Sequence, residues 1–182
     1  MRIRVDLLLG HFLVLRGETR RGAELADLAV RELPKEEGAT PCWLLMLSIS
    51  NGKTNKWGKR QYGAVIRNRD PLICSHSALA QYFFYRWHQS GEAPPSFKSR
   101  SDWYNTKILV GSDEQKSISF RQQYNDIDNL FREAGVASDS VTHAPRKMGP
   151  QSAEFHGVSE SQVSLVIFPF PLLIHISTYM IA

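Results

Sequence analysis

Three short groups of residues carry side chains able to handle a phosphate: Arg21-Gly22-Ala23-Glu24-Leu25, Gly52-Lys53-Thr54 and His143-Ala144-Pro145-Arg146. A guanidinium presents a planar fork of donors that can pair two phosphate oxygens at once, so Arg21 and Arg146, brought together by folding, would make a phosphate clamp. Taken singly, each group also has a plain structural account. Arg21 with Glu24 suits a surface helix pair, Lys53 suits a loop charge, and His143 with Arg146 suits a hydrogen-bonding pair at a helix start. Their order along the chain is the more informative observation.

A second chemical signal is charge. Lys53, Lys56, Lys59, Arg60, Arg67 and Arg69 form a run of six basic residues with no acidic residue before Asp70. Trp57 and Tyr62 interleave with it. Basic runs of this kind are either solvated hairpin faces or footprints for a polyanion. Cys42, Cys74 and His76 are not spaced as a metal site, and two cysteines are too few for a disulfide framework, so a reducing compartment is expected and neither metal nor cofactor is implied.

These groups must be positioned by regular elements, and the pattern supplies them. Leu8, Phe12 and Leu15 recur at four and three residues, which predicts an opening helix with one buried stripe. Residues 43–50 alternate Leu45, Leu47 and Ile49 against Met46, Ser48 and Ser50, and residues 60–67 form a second extended stretch, so the two read as a hairpin with Lys53 and Lys56 near its tip. A helix over 75–89 carries Leu79, Phe83 and Trp87 as its core stripe and ends before Gly91, Pro94 and Pro95. A long connection follows to about Ser117. Phe120, Tyr124, Ile127, Phe131 and Ala134 then mark the clearest helix, closed by Gly135. Pro145 fits the first turn of a last helix that runs toward Phe155 and stops near Gly157. The class is α+β, mainly α, with a small antiparallel hairpin or sheet.

The chain has 182 residues, with 22 Lys+Arg against 18 Asp+Glu and a net charge of +4, which suits one folded domain. Its 42% hydrophobic and 22% charged content sits near ordinary globular usage and excludes wholesale disorder or a multi-pass membrane protein. Asp6, Gly10 and His11 interrupt the first apolar stretch, and no small-residue cleavage site follows, so it is not read as a signal peptide; the chain instead reads as beginning inside a fold that lacks an upstream portion. Residues 163–182 hold no Asp, Glu, Lys or Arg. A spanning helix needs about 20 apolar residues, but Pro169 and Pro171 fall mid-tract, so no membrane anchor is expected. The reading is therefore a domain over 1–162 and an apolar tail over 163–182. The tail either docks on the domain or departs from the parent reading frame.

The order of the three phosphate-handling groups resembles the catalytic domain of tyrosine recombinases. A closer resemblance covers most of the chain from about residue 6 to 162. Leu7-Leu8-Leu9-Gly10-His11, Leu15-Arg16-Gly17-Glu18-Thr19-Arg20-Arg21, Asn51-Gly52-Lys53-Thr54-Asn55, Arg67-Asn68-Arg69-Asp70, Ala78-Leu79-Ala80-Gln81-Tyr82, Thr142-His143 and Gly157-Val158-Ser159-Glu160 look like domain two of the fungal centromere DNA-binding kinetochore subunits. That domain is itself similar to the recombinases of fungal Crypton transposons.

The resemblance implies a recombinase-like fold, duplex DNA as partner and a nuclear location, with room for a homo-oligomer on DNA. In an active relative the arginines would stabilise charge on the phosphate, Lys53 would protonate the leaving oxygen, His143 would assist proton transfer and a tyrosine would attack. Arg20 competes with Arg21 for the first arginine, and the following x-x-Glu-Leu favours Arg21. After Ser159-Glu160 the chain departs from the family pattern: the Gly-Arg-Trp block is absent, and Tyr179 is approached through Pro169 and Pro171. Arg21, Lys53, His143 and Arg146 are thus read as a relict catalytic set. Duplex binding is assigned to Arg21, Lys53, Lys56, Lys59, Arg60, Arg67, Arg146 and Lys147, with an active Crypton-type recombinase as the alternative and an interaction scaffold as the third reading.

Overall fold

In the computed structural model, which describes residues 1–33, 42–49 and 60–159, the first helix, α1 (Arg2–Phe12), runs through the middle of the molecule. Its buried residues are Val5, Asp6, Leu9 and Gly10, and Leu13 just beyond the helix is buried too. Of the expected stripe of Leu8, Phe12 and Leu15, only Leu15, past the end of the helix, is buried, and the other two are half-buried. The rotation has a cause in the two residues that seemed to interrupt the apolar stretch. Asp6 must face inward to meet Arg20, and Gly10 lies so close to its neighbours that a Cβ there would stand 2.7 Å from the Pro145 side chain and 2.8 Å from Arg20 Nη1.

A short helix, α2 (Gly17–Gly22), and a 3-10 turn (Leu25–Asp27) lead into a three-stranded antiparallel sheet. Its strands β1 (Leu28–Leu33), β2 (Cys42–Ile49) and β3 (Gln61–Ile66) lie in that order. The hairpin read from the alternation is β2 with β3: Leu45 pairs Val65, and Leu47 pairs Gly63. Leu45 and Leu47 point to the core, 4% and 0% exposed, while Trp43 is outside. Strand β1 was not expected. Its four middle residues are all exposed, so it lacks the alternation that betrays a strand, and as an edge strand it carries Arg31 and Glu32 where charge discourages further pairing.

Helix α3 (Ser75–His88) buries Ala78, Leu79, Tyr82 and Arg86. Phe83 and Trp87, expected on the core stripe, lie half-buried at its flank and stack on each other with ring centroids 4.9 Å apart. Arg86 takes the inward place instead: it pairs with Glu92 and donates to the carbonyls of Lys107 and Ile108, at 2.9 and 3.1 Å, fixing the long connection against the helix. That connection is more than a tether. Ile108 and Leu109 are fully buried and Ile118 nearly so, and Ile108 N donates to Ala23 O at 2.9 Å.

Helix α4 (Phe120–Glu133) starts at Ser119, whose hydroxyl accepts from the Gln122 amide, and ends before Gly135 at φ +68°. Ile127 and Phe131 are buried as expected, but Phe120 and Tyr124 are exposed and Gln123 takes the inward place. A 3-10 turn (Val141–His143) leads into α5 (Ala144–Phe155), with Pro145 in its first turn. Two apolar clusters result. The larger joins α1, the sheet, α3 and residues 108–118. The smaller gathers Ile127, Phe131, Val141, Ala144 and Leu7. Among the described residues no helix is long and apolar enough to cross a membrane, and the tail over 163–182, with Tyr179, lies outside them.

Candidate functional site

Two consecutive arginines on α2 take opposite directions. Arg20 is 0% exposed and every arm of its fork is committed: Nε donates to Asp6 Oδ1 at 2.5 Å, Nη1 to Leu15 O at 2.7 Å and Nη2 to Thr142 O at 3.1 Å. It ties α1, α2 and the start of α5 together. Arg21 emerges on the other side of the short helix, half-buried, with Nη1 donating to Gln123 Oε1 at 2.6 Å and its guanidinium 5.4 Å from the centre of the Phe120 ring.

Gln123 is the hinge of this arrangement. Its amide nitrogen donates to both oxygens of Asp6, at 2.9 and 3.0 Å, and its oxygen accepts from Arg21. Arg20, Asp6, Gln123 and Arg21 therefore form one continuous chain of hydrogen bonds from the interior to the surface, which fixes the orientation of the outer guanidinium. Burial pulls the Arg21 pKa down, Glu18 pushes it back up and the charge on Arg20 lowers it again. A guanidinium starts so far above neutral pH that it stays charged.

Gly17, at the start of α2, brings this chain up against α5. A Cβ at Gly17 would lie 3.0 Å from Gln123 Oε1, 3.5 Å from Arg21 Nη1 and 3.5 Å from Thr142 Cβ. Thr142 is followed by His143, which is exposed, caps α5, and has Nδ1 3.4 Å from the Thr142 hydroxyl. Arg146 follows within the first turn of α5, half-buried, with its pKa lowered first by burial and then by the charge of Arg16. Lys147 is exposed and reaches back to the Ser140 hydroxyl at 3.2 Å. The fold thus sets the start of α2 against Thr142 in the turn before α5, and His143 and Arg146 follow directly on that turn.

The basic run is more dispersed. Arg60 and Arg67 stand exposed at opposite ends of β3, a strand of about 20 Å at the usual rise per residue. Arg60 lies near Asp27, just past the Arg21 segment, and Arg67 lies near His76 at the start of α3. Lys53, Lys56 and Lys59 fall outside the described residues. The Glu24-Leu25 that follows Arg21 is structural: Glu24 pairs with Lys107 and caps the 3-10 turn together with Asp27, and Leu25 is 7% exposed.

Sequence reasoning missed Asp6, Gln123 and Arg16. The first two each place a polar residue inside an apolar stripe, a signal visible in the sequence; Arg16 carried no signal beyond its type. Among the described residues no cluster of three or more His, Cys, Asp or Glu could hold a metal ion.

This arrangement has a solved counterpart in fold. The chain superposes with a TM-score of 0.55 on the crystal structure of the XerH site-specific recombinase bound to its difH substrate in a pre-cleavage complex, at 14% identity over 91% of this chain and 38% of that one. No curated protein matches the sequence. Residues 1–167, which include α2, α5 and every residue of the arginine junction, match one family model, and with that extent of match the chain belongs to the family described as the centromere DNA-binding protein complex CBF3 subunit, domain 2.

Proposed function

We propose that this domain binds duplex DNA in the nucleus through its phosphates, with little preference for base sequence. The observation that carries the reading is the division of labour on α2: Arg20 is spent on the interior, while Arg21 is held at the surface by Gln123, and Arg146 stands half-buried in the first turn of α5. Family membership supports it, since the family is described as DNA-binding at centromeres. Arginine forks suit phosphate oxygens, and contacts to phosphate carry no direct sequence information. Lys53, Lys56, Lys59, Arg60, Arg67 and Lys147 add charge to the same partner, and Lys53 and His143 are relict members of a catalytic set that no longer cuts DNA. The domain is residues 1–162, with 163–182 outside the binding unit.

The test is duplex binding as a function of salt. Each neutralised phosphate contributes a slope of about 0.9 in log affinity against log salt. Affinity should fall steeply between about 50 and about 200 mM salt, and Arg146→Ala should lower the slope by about 0.9 whichever duplex is offered. Binding that stays flat with salt would remove the phosphate reading. A nicked suicide duplex should yield no adduct that survives denaturation; an adduct present in the parent and lost on Tyr179→Phe would show that the chain is an active recombinase.

A further inference from the structure

Among the described residues, seven arginines are not exposed: Arg2, Arg4, Arg16, Arg20, Arg21, Arg86 and Arg146. Five of them have acceptors. Arg2 donates to Asp126 and to the Val110 carbonyl, Arg4 to Gln81 and the Leu72 carbonyl, Arg20 and Arg21 as described, and Arg86 to Glu92 and two carbonyls. Arg16 and Arg146 have none among the described residues. They are also neighbours, because Arg16 sits in extended conformation directly before Gly17 at the N-cap of α2, Gly17 packs by Thr142, and Arg146 lies one helical turn beyond Thr142. Among the described residues, Arg16 is the charge that bears on the Arg146 guanidinium.

Two half-buried like charges held together without a counter-ion repel each other, and the fold gains nothing from the pair. An anion placed between them would reverse that cost. We propose that Arg16 is a further phosphodiester-binding group, which with Arg146 makes a clamp of two arginines where the start of α2 meets the turn before α5. The inference rests on the duplex-binding reading above. It adds a residue whose side chain has no acceptor among the described residues and whose backbone is held by the α2 N-terminus, where Arg20 N donates to Arg16 O at 3.0 Å.

The experiment uses the full chain and a fluorescent duplex, comparing the parent with Arg16→Ala, Arg16→Lys and Arg31→Ala. Arg31 is an exposed arginine in β1, away from the junction. Arg16→Ala should lower the salt slope by about 0.9 and leave the thermal midpoint no lower than that of the parent. Arg16→Gln serves in its place should the alanine variant fold poorly. Arg16→Lys should keep the slope while weakening affinity, because a lysine keeps the charge and loses the fork. Arg31→Ala should match the parent. Arg16→Ala indistinguishable from the parent, with Arg146→Ala impaired, overturns the assignment of Arg16 alone; a parent with no salt-dependent binding overturns both readings together. Exchanging chloride for inorganic phosphate at equal ionic strength should leave duplex affinity unchanged, and specific displacement by phosphate would overturn the polymer backbone as ligand in favour of the free ion.

Discussion

Two interiors meet along α1. On one face Val5 and Leu9 join Leu45, Leu47, Ile108 and Leu109 in an apolar cluster where nothing but shape is specified. On the adjoining face Asp6 and Gly10 join Arg20, Gln123 and Thr142 in a polar seam where each donor has a named acceptor. Apolar packing is non-directional and tolerates exchange of similar volumes. Hydrogen bonds between charged groups fix both distance and direction. The apolar side therefore holds the domain together, while the seam determines where Arg21 and the start of α5 stand relative to each other.

The sharpest way to break this contrast is to remove one member of each side. Asp6→Ala leaves the Arg20 charge buried with no counter-charge, which should cost about 3–5 kcal/mol; Leu47→Ala opens a cavity and should cost about 2–5 kcal/mol. Urea midpoints measure both. The discriminating readout is duplex affinity under conditions where each variant is still folded: Asp6→Ala should bind weakly and Leu47→Ala like the parent. Equal binding by the two would abolish the distinction.

A smaller effect sharpens the same point. Gln123→Leu keeps the volume while depriving Arg21 of its acceptor and Asp6 of the Gln123 amide that donates to both its oxygens. Stability should fall by about 1–3 kcal/mol and duplex affinity by about tenfold, equivalent to about 1.4 kcal/mol. The salt slope should stay as it was, because the charge on Arg21 remains. A lowered slope would mean that the variant lost a phosphate contact outright, and unchanged affinity that the orientation of Arg21 is immaterial.

The smallest effect concerns protons. His11 at the end of α1 and His76 at the start of α3 are both depressed below the ordinary histidine value by burial, with Arg67 adding to the effect at His76. For groups depressed in the folded state, the unfolded chain takes up protons first as pH falls below about 6.5, so stability is lost on acidification from that value downward. Thermal midpoints should drop between about pH 7 and about pH 5.5. His76→Gln should flatten the part that belongs to the sheet side and His11→Gln the part that belongs to the seam. A profile steeper in His76→Gln than in the parent would reverse the sign assigned here.

Where the sequence was legible, a period made it so. The alternation of Leu45, Leu47 and Ile49 announces the hairpin, and Pro145 and Gly135 mark helix boundaries correctly because their backbone preferences are local. Ile108-Leu109-Val110 is too short to show a period, and its burial depends on a carbonyl at Ala23, far along the chain. Gln123 breaks the stripe of α4 for the same reason: its partners, Asp6 and Arg21, are chosen by tertiary contact, which a helical pattern cannot contain. Of the site, the order of Arg21, His143 and Arg146 was readable through resemblance. Arg16 was not readable, since only the lack of an acceptor near it sets it apart.

The adjacent arginines on α2 give neighbouring codons unrelated consequences in a cell. A change at Arg20 leaves the Asp6 carboxylate buried without its charge partner, and protein weakened in this way is cleared by quality control, so its phenotype is one of low abundance. A change at Arg21 leaves the interior intact and the protein plentiful, so on the proposed reading its phenotype should be weakened DNA binding at normal dosage. The first is relieved by raising expression or lowering temperature; the second responds to neither, and excess copies of it still compete for every partner that does not depend on the guanidinium.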